Sequence, residues 1–198
     1  MSNKAYFTFG RWQPPTVGHQ KLFDNLYEAA MTDGADNYVF CSHSHDNKTN
    51  LIPPAKKILF MEALFPNLNI VSLDYGVISP YMAARIISDT GYKNVKMFVG
   101  GDRAKEFKEG ISNYINHPNP EKSYNFESFD VVDVGSRIDE DNVSQASGTA
   151  ARAAALEEDF DLFATFIPTE NIDIIESIYY SIRAGSNLTE AEIAQSIY

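Results

Sequence analysis

Cysteine is almost missing from this chain. Cys41 is the only one among 198 residues, so no internal disulfide can form, and its setting in Tyr38-Val39-Phe40-Cys41 makes it a small apolar filler of the core. No continuous apolar run nears the ~20 residues needed to cross a bilayer, and no basic-then-apolar leader opens the sequence. These absences predict a soluble, cytoplasmic protein. Basic residues are scarce as well: 16 Lys+Arg face 27 Asp+Glu, for a formal net charge of -11. That balance argues against nonspecific nucleic-acid binding and against docking on an anionic membrane. A phosphate site on such a chain must gather its few cations locally. Gly-x-Gly-x-x-Gly is also lacking after the first apolar run, and no acidic residue closes the second in the manner of a dinucleotide fold, which disfavours an NAD-dependent oxidoreductase.

What is present is a regular alternation. Ala5 to Phe9, Tyr38 to Ser42, Leu68 to Leu73, Val95 to Val99 and Phe129 to Val134 are short, rich in aromatic and β-branched residues, and bounded by Gly, Pro, Asn or Asp. Helical spacing lies between them, at Leu22, Phe23, Leu26, Tyr27 and Ala30, and again at Ile58, Leu59, Met61, Ala63 and Leu64. The alternation predicts an α/β protein with a doubly wound, five-stranded parallel sheet of order 3-2-1-4-5, Rossmann-like, with right-handed crossovers. Gly110 to Ser128 reads as an irregular insertion, and Gly135 to Ser147 as a loop, acidic at Asp139-Glu140-Asp141. Thr149 to Glu158, Asn171 to Arg183 and Thr189 to Ser196 read as helices, the last opening on a Thr189/Glu192 capping box. The length suits one α/β domain over 1–160 with a C-terminal helical extension, 161–198, packed on it.

Gly10-Arg11-Trp12-Gln13-Pro14-Pro15-Thr16-Val17-Gly18-His19 joins the first strand to an amphipathic stretch from Gln20 to Met31. A helix start after such a turn offers unpaired N–H groups and the positive end of the helix dipole to an anion. In the predicted sheet, winding reverses between strands 1 and 4, opening a crevice at their carboxyl ends. Gly10 to Gly18 and Gly100-Gly101-Asp102-Arg103 therefore converge on one place. Ser147-Gly148-Thr149-Ala150-Ala151-Arg152 starts a further helix, where hydroxyl residues and Arg152 can receive phosphate.

The first of these segments resembles the signature of the HIGH-motif nucleotidyltransferase superfamily, the cytidylyltransferase-like group, which carries Gly-Arg-Phe-x-Pro-x-His-x-Gly-His after its first strand. Trp12 stands at the Phe place and Thr16 at the first His, as in the pantetheine-phosphate adenylyltransferase branch, while His19 keeps the second. Ser147 to Arg152 is similar to the second signature, Ile-Ser-x-Thr-x-x-Arg, with Ala146 replacing Ile. Phe98 to Arg103 looks most like a bacteriophage-encoded nucleotidyltransferase-like branch, which would place the protein in a host cytoplasm. The resemblance implies transfer of a nucleoside monophosphate from ATP or CTP to a phosphorylated small molecule, with release of pyrophosphate and with Mg²⁺ as cofactor. It implies catalytic roles for His19, Thr16 and Arg11. Gly10, Arg11, Gly18, His19, Ser147, Gly148, Thr149, Arg152 and Lys57 would bind nucleotide, and Gly100, Asp102 and Arg103 the acceptor. The Gly-Arg-x-Gln-Pro opening leans toward nicotinamide-mononucleotide adenylyltransferases and Thr16 toward the pantetheine branch. A homo-oligomer is left open.

Other readings compete. His43, His45 and Asp46 follow the second strand, yet no further His/Cys pair completes a metal shell, and a polar loop explains them equally. Lys48, Lys56 and Lys57 are candidates for a mobile cationic lid, or simply a solvated face. The chain could also be a catalytically silent nucleotide-binding module, regulatory or virion-associated. Adenylate formation on a carboxylate, as in aminoacyl-tRNA synthetases, ranks lower because the sequence offers no Lys-Met-Ser-Lys-Ser-like loop and no basic tRNA-binding domain.

Overall fold

A computed structural model describes residues 2–71, 73–101, 103–135 and 147–195. Strand β1 (Lys4–Gly10) holds four consecutive buried residues, Ala5 to Thr8, the mark of a strand covered on both faces. It pairs in parallel with β2 (Asp36–Cys41) on one side and β3 (Asn94–Val99) on the other, and β3 pairs in parallel with β4 (Ser128–Asp133). The sheet order is β2-β1-β3-β4. Among the described residues, four strands therefore stand where five were expected. Within the Leu68–Leu73 stretch, Ile70 forms an isolated parallel bridge to Val39, closed by Val39 N–H to the Asn69 carbonyl and Val71 N–H to the Val39 carbonyl. Continuation is blocked from both sides. The Asn69 amide donates to the Asn37 side chain instead of to backbone (2.8 Å), and Leu73–Tyr75 winds into a 3₁₀ turn.

Helices cover both faces. Helix α1 (Val17–Asp33) buries Leu22, Phe23, Leu26 and Ala30, and ends on Gly34 in the left-handed region, whose N–H returns to the Ala30 carbonyl. It shares a core with Tyr6, Trp12, Val39, Phe98 and, from α2 (Pro54–Leu64), Met61. The opposite face packs Phe7, Phe40, Val95 and Met97 against α3 (Pro80–Asp89) and α4 (Ala104–Ser112). Neither helix was anticipated. Ser79-Pro80 is the start signal for α3, with Ser79 accepting from the Met82 amide at 3.2 Å and Pro80 needing no donor. Helix α4 takes Gly110 to Ser112 out of the expected irregular insertion. The remainder is anchored by Tyr124 and Phe126, which are buried in the same core, and by an Ile115–Tyr124 bridge.

Helices α5 (Gly148–Leu156), α6 (Phe160–Phe166) and α7 (Ile172–Ser186) form a third apolar cluster with Leu51 and Ile52. Helix α8 (Glu190–Gln195) follows, its start closed by Thr189 N–H to Glu192 at 2.8 Å. Gly185 is where α7 meets the loop after β2: a Cβ there would collide with the Leu51 carbonyl. Burying side chains such as Leu51 and Ile178 is worth about 1.5–3 kcal/mol each, and this seam ties the C-terminal helices to the sheet. No helix among the described residues is long and apolar enough to cross a membrane.

Candidate active site

The carboxyl ends of β1, β3 and β4 open onto a cavity of about 590 Å³. Its position follows from the order β2-β1-β3-β4, because β1 and β3 lead their following chain to opposite sides of the sheet. Helices α1 and α5 both start at its edge, and neither carries an acidic residue in its first turn. Two positive dipole ends are thus left uncompensated at one cavity.

At the α1 start, the histidine doubles as a structural element. Thr16 is the N-cap and His19 occupies the N3 place that Glu or Gln fills in an ordinary capping box. The Thr16 backbone N–H donates to His19 Nδ1 at 3.0 Å, with the Thr16 hydroxyl also 3.0 Å from that nitrogen. A ring nitrogen that accepts from an amide carries no proton. Neutral His19 is therefore protonated on Nε2, a donor on a side chain that lines the cavity. Trp12 fixes the ring from the side, edge-on with centroids 5.1 Å apart, and itself donates from Nε1 to the Phe40 carbonyl at 3.2 Å. Gly10 is required by this packing, since a Cβ there would lie 2.5 Å from the Trp12 indole.

Arg152 reaches the same cavity from α5. Its guanidinium donates to the Gln13 carbonyl and, at 3.2 Å, to the Thr149 hydroxyl. Burial, and then the neighbouring charge of Arg11, lowers its pKa. Ser147 caps α5 by accepting from the Ala150 amide at 3.1 Å. The Gln13 side chain in turn clasps Ile52, accepting from its N–H and donating to its carbonyl, both at 2.8 Å. Arg103 stands on the opposite flank, paired with Glu106 at 3.3 Å and lying over the Phe107 ring at 4.4 Å.

Of the residues anticipated from sequence, Gly10, Arg11, Gly18, His19, Gly100, Arg103, Ser147, Gly148, Thr149 and Arg152 all line this cavity. Thr16 is fully buried beneath it as the cap described above. Asp102 lies outside the described residues, as do Ala146 and Asp139 to Asp141. Lys57 does not line the cavity. It is fully buried, donates to the Ser42 carbonyl, and is pushed down to about 8, first by burial, with Cys41 opposing and Arg11 adding. Cys41 beside it is pushed up to about 12 by the same burial. Lys48 and Lys56 are exposed. In the loop that follows β2, Asp46 accepts from the amides of Lys48, Thr49 and Asn50. Burial would raise its carboxyl, but these bonds outweigh it and hold the pKa below the ordinary range. No cluster of three or more His, Cys, Asp or Glu suited to a metal occurs among the described residues.

Sequence reasoning missed Lys21, Gln13 and Phe107, which also line the cavity. A signal existed for Lys21, a cation placed near the positive end of α1 against the dipole preference. With it, four permanent cations, Arg11, Lys21, Arg103 and Arg152, face a cavity whose described lining includes no carboxylate. On a chain of net charge -11 that is a concentrated anion site.

A parallel sheet with paired helix starts and clustered cations at its carboxyl edge makes an anion-binding site on an α/β fold. No family model matches the chain, and no curated protein matches it in sequence. Solved structures do match. A protein assigned as a nicotinate-nucleotide adenylyltransferase from Vibrio parahaemolyticus is similar at TM-score 0.56 and 14% identity, over 89% of this chain and 94% of its own. Plasmodium falciparum nicotinic acid mononucleotide adenylyltransferase, complexed with NaAD, is similar at TM-score 0.56 and 12% identity, over 90% and 97%. Thermotoga maritima TmcAL bound with alpha-thio ATP is similar at TM-score 0.54 and 13% identity, over 92% of this chain and 57% of its own. The chain has the α/β fold of these proteins.

Proposed function

We propose that the protein is a nucleotidyltransferase, moving a nucleoside monophosphate from ATP or CTP to a phosphorylated small molecule. The observation that carries this reading is the Thr16 amide on His19 Nδ1, a contact that assigns the proton of the neutral ring to Nε2 on a residue lining a cavity with four cations. A bare binding module needs the cations but not a hydrogen-bond donor held this rigidly.

An acceptor phosphate oxygen attacks the α-phosphorus, the bond to the bridging oxygen breaks, and pyrophosphate leaves. The acceptor is already an anion at neutral pH, so no protein nucleophile or general base is required. What the chain must supply is alignment of two mutually repelling anions and stabilisation of charge on the α-phosphate and the leaving group. His19 donates to an α-phosphate oxygen, with Thr16 holding its ring. Arg11, Arg152 and the amides at Ser147 to Thr149 take the outer phosphates. Gly100 and Arg103, which line the cavity after β3, would contact the acceptor. Mg²⁺ would arrive on the triphosphate, because the described lining offers it no carboxylate and its ligands would be phosphate oxygens and water.

The test is a matrix of four nucleoside triphosphates against nicotinate and nicotinamide mononucleotides, phosphopantetheine, sugar phosphates, glycerol phosphate and choline phosphate, read by pyrophosphate release. Release in at least one well, abolished by His19→Ala, is the expected result. Tight triphosphate binding with no release in any well would mean a silent nucleotide-binding module.

A further inference from the structure

Lys21 has no place in the reading above, and its surroundings give it one. It lies two residues beyond His19 on α1, its side chain lines the same cavity, and a Cβ at Gly135 would stand 3.7 Å from its ammonium. The side chain therefore reaches from α1 across to the turn that follows β4. Arg152 sits on a different wall, tied to Gln13 after β1.

Two comparisons separate Lys21 from the other lysines. Lys96, Lys105 and Lys108 are matched with Asp33, Glu109 and Asp130. Lys21 has no carboxylate within 4.0 Å among the described residues, and its side chain donates no hydrogen bond recorded there. Its side chain is exposed, but at the lining of a concave site. It lies at a site where Arg11 is already close enough to Arg152 to disfavour the Arg152 charge. Adding a third cation with no carboxylate partner among the described residues to such a site raises the local positive field, and a multivalent anion would relieve all three at once.

We propose that Lys21 is a polyphosphate ligand, closing the cationic clamp of Arg11 and Arg152 from the β4 side of the cavity and gripping the donor's β- and γ-phosphates as they become pyrophosphate. The proposal rests on the nucleotidyltransferase reading for the identity of the anion. A monophosphate fits within reach of one wall, whereas an extended polyphosphate can meet both. Lys21 should therefore distinguish chain length among phosphates and be indifferent to the base.

Titration calorimetry on the full chain tests this with pyrophosphate, ATP, CTP and AMP as probes, comparing wild type with Lys21→Met and Lys21→Arg. Lys21→Met should weaken pyrophosphate, ATP and CTP by about tenfold, the loss of one charge-assisted phosphate contact, and leave AMP within about twofold. Lys21→Arg should recover most of the loss, and all three proteins should melt together because Lys21 is exposed. Wild-type affinity for pyrophosphate in Lys21→Met would overturn the role of Lys21 alone. An equal loss for AMP would overturn it too, reducing Lys21 to a source of general field. Should wild type bind none of the polyphosphates, the Lys21 proposal and the transferase reading fall together, a result distinguishable by the wild-type titration.

Discussion

Lys21 and Lys57 make a useful pair, since both sit on helices that follow sheet strands. Lys21 projects from α1 into the open cavity, and Lys57 is sealed behind it, with its ammonium given to the Ser42 carbonyl. The same side chain thus serves two purposes. In front, solvent and any anion can stabilise the charge; behind, only one carbonyl and the polarisable neighbourhood of Cys41 offset its desolvation. Changes to the front wall should alter ligand handling and spare the fold, while changes to the back wall should do the reverse.

The largest expected effect falls in front. His19→Ala should lower kcat on the order of 10²-fold or more, the cost of one preorganised donor, with only a small fall in melting temperature from the lost α1 cap. Unchanged turnover on a verified substrate would remove His19 from the chemistry. Behind, Gly185→Ala forces a Cβ onto the Leu51 carbonyl, and a loss of about 2 kcal/mol in chemical unfolding is expected, without a change in KM for variants that remain folded. No loss would mean that the seam between α7 and the Leu51 loop yields easily.

Lys57→Met sharpens the contrast through pH. The folded-state pKa of Lys57, about 8, lies below the ordinary 10.5, so between these values the unfolded chain binds more protons. Stability of the wild type should therefore rise with pH relative to Lys57→Met across pH 8 to 10.5, and the variant's advantage, on the order of 1 kcal/mol at pH 7, should shrink there. Parallel pH curves for the two proteins would show that the ammonium is not desolvated as its burial implies. Ser147→Ala is expected to be smallest. Losing the cap on α5 costs about 0.5 to 1 kcal/mol and, because α5 carries Arg152, raises KM for the triphosphate modestly; a KM equal to wild type would uncouple the cap from the clamp.

Much of this arrangement was legible in the sequence, for identifiable reasons. Ala5 to Phe9 reads as a strand because apolar and β-branched residues crowd it, and Gly10 to His19 reads as a turn into a helix because glycine, proline and the Thr16 cap punctuate it. Trp12, at the place of the signature's Phe, packs against His19 and Phe23. The outer strand at Leu68–Leu73 was lost because edge pairing depends on a partner's side chain, here Asn37, which no periodicity reveals. Lys57 was selected from its place in a resemblance, yet its burial depends on how α2 turns toward Cys41. Lys21 went unnoticed although it lies one helical face from His19, because a lysine on an amphipathic helix reads as solvated until the opposite wall is known. The use of His19 in the helix cap was equally hidden. Its signal is the spacing Thr16 to His19, with a ring where Glu or Gln belongs.

The indole of Trp12 has one more consequence. It is the only tryptophan of the chain, and its ring lies edge-on against His19 at 5.1 Å. All tryptophan emission from this molecule therefore originates at the cavity wall, beside His19. Anion binding there should alter that emission, giving a gauge of occupancy readable without a label and without turnover.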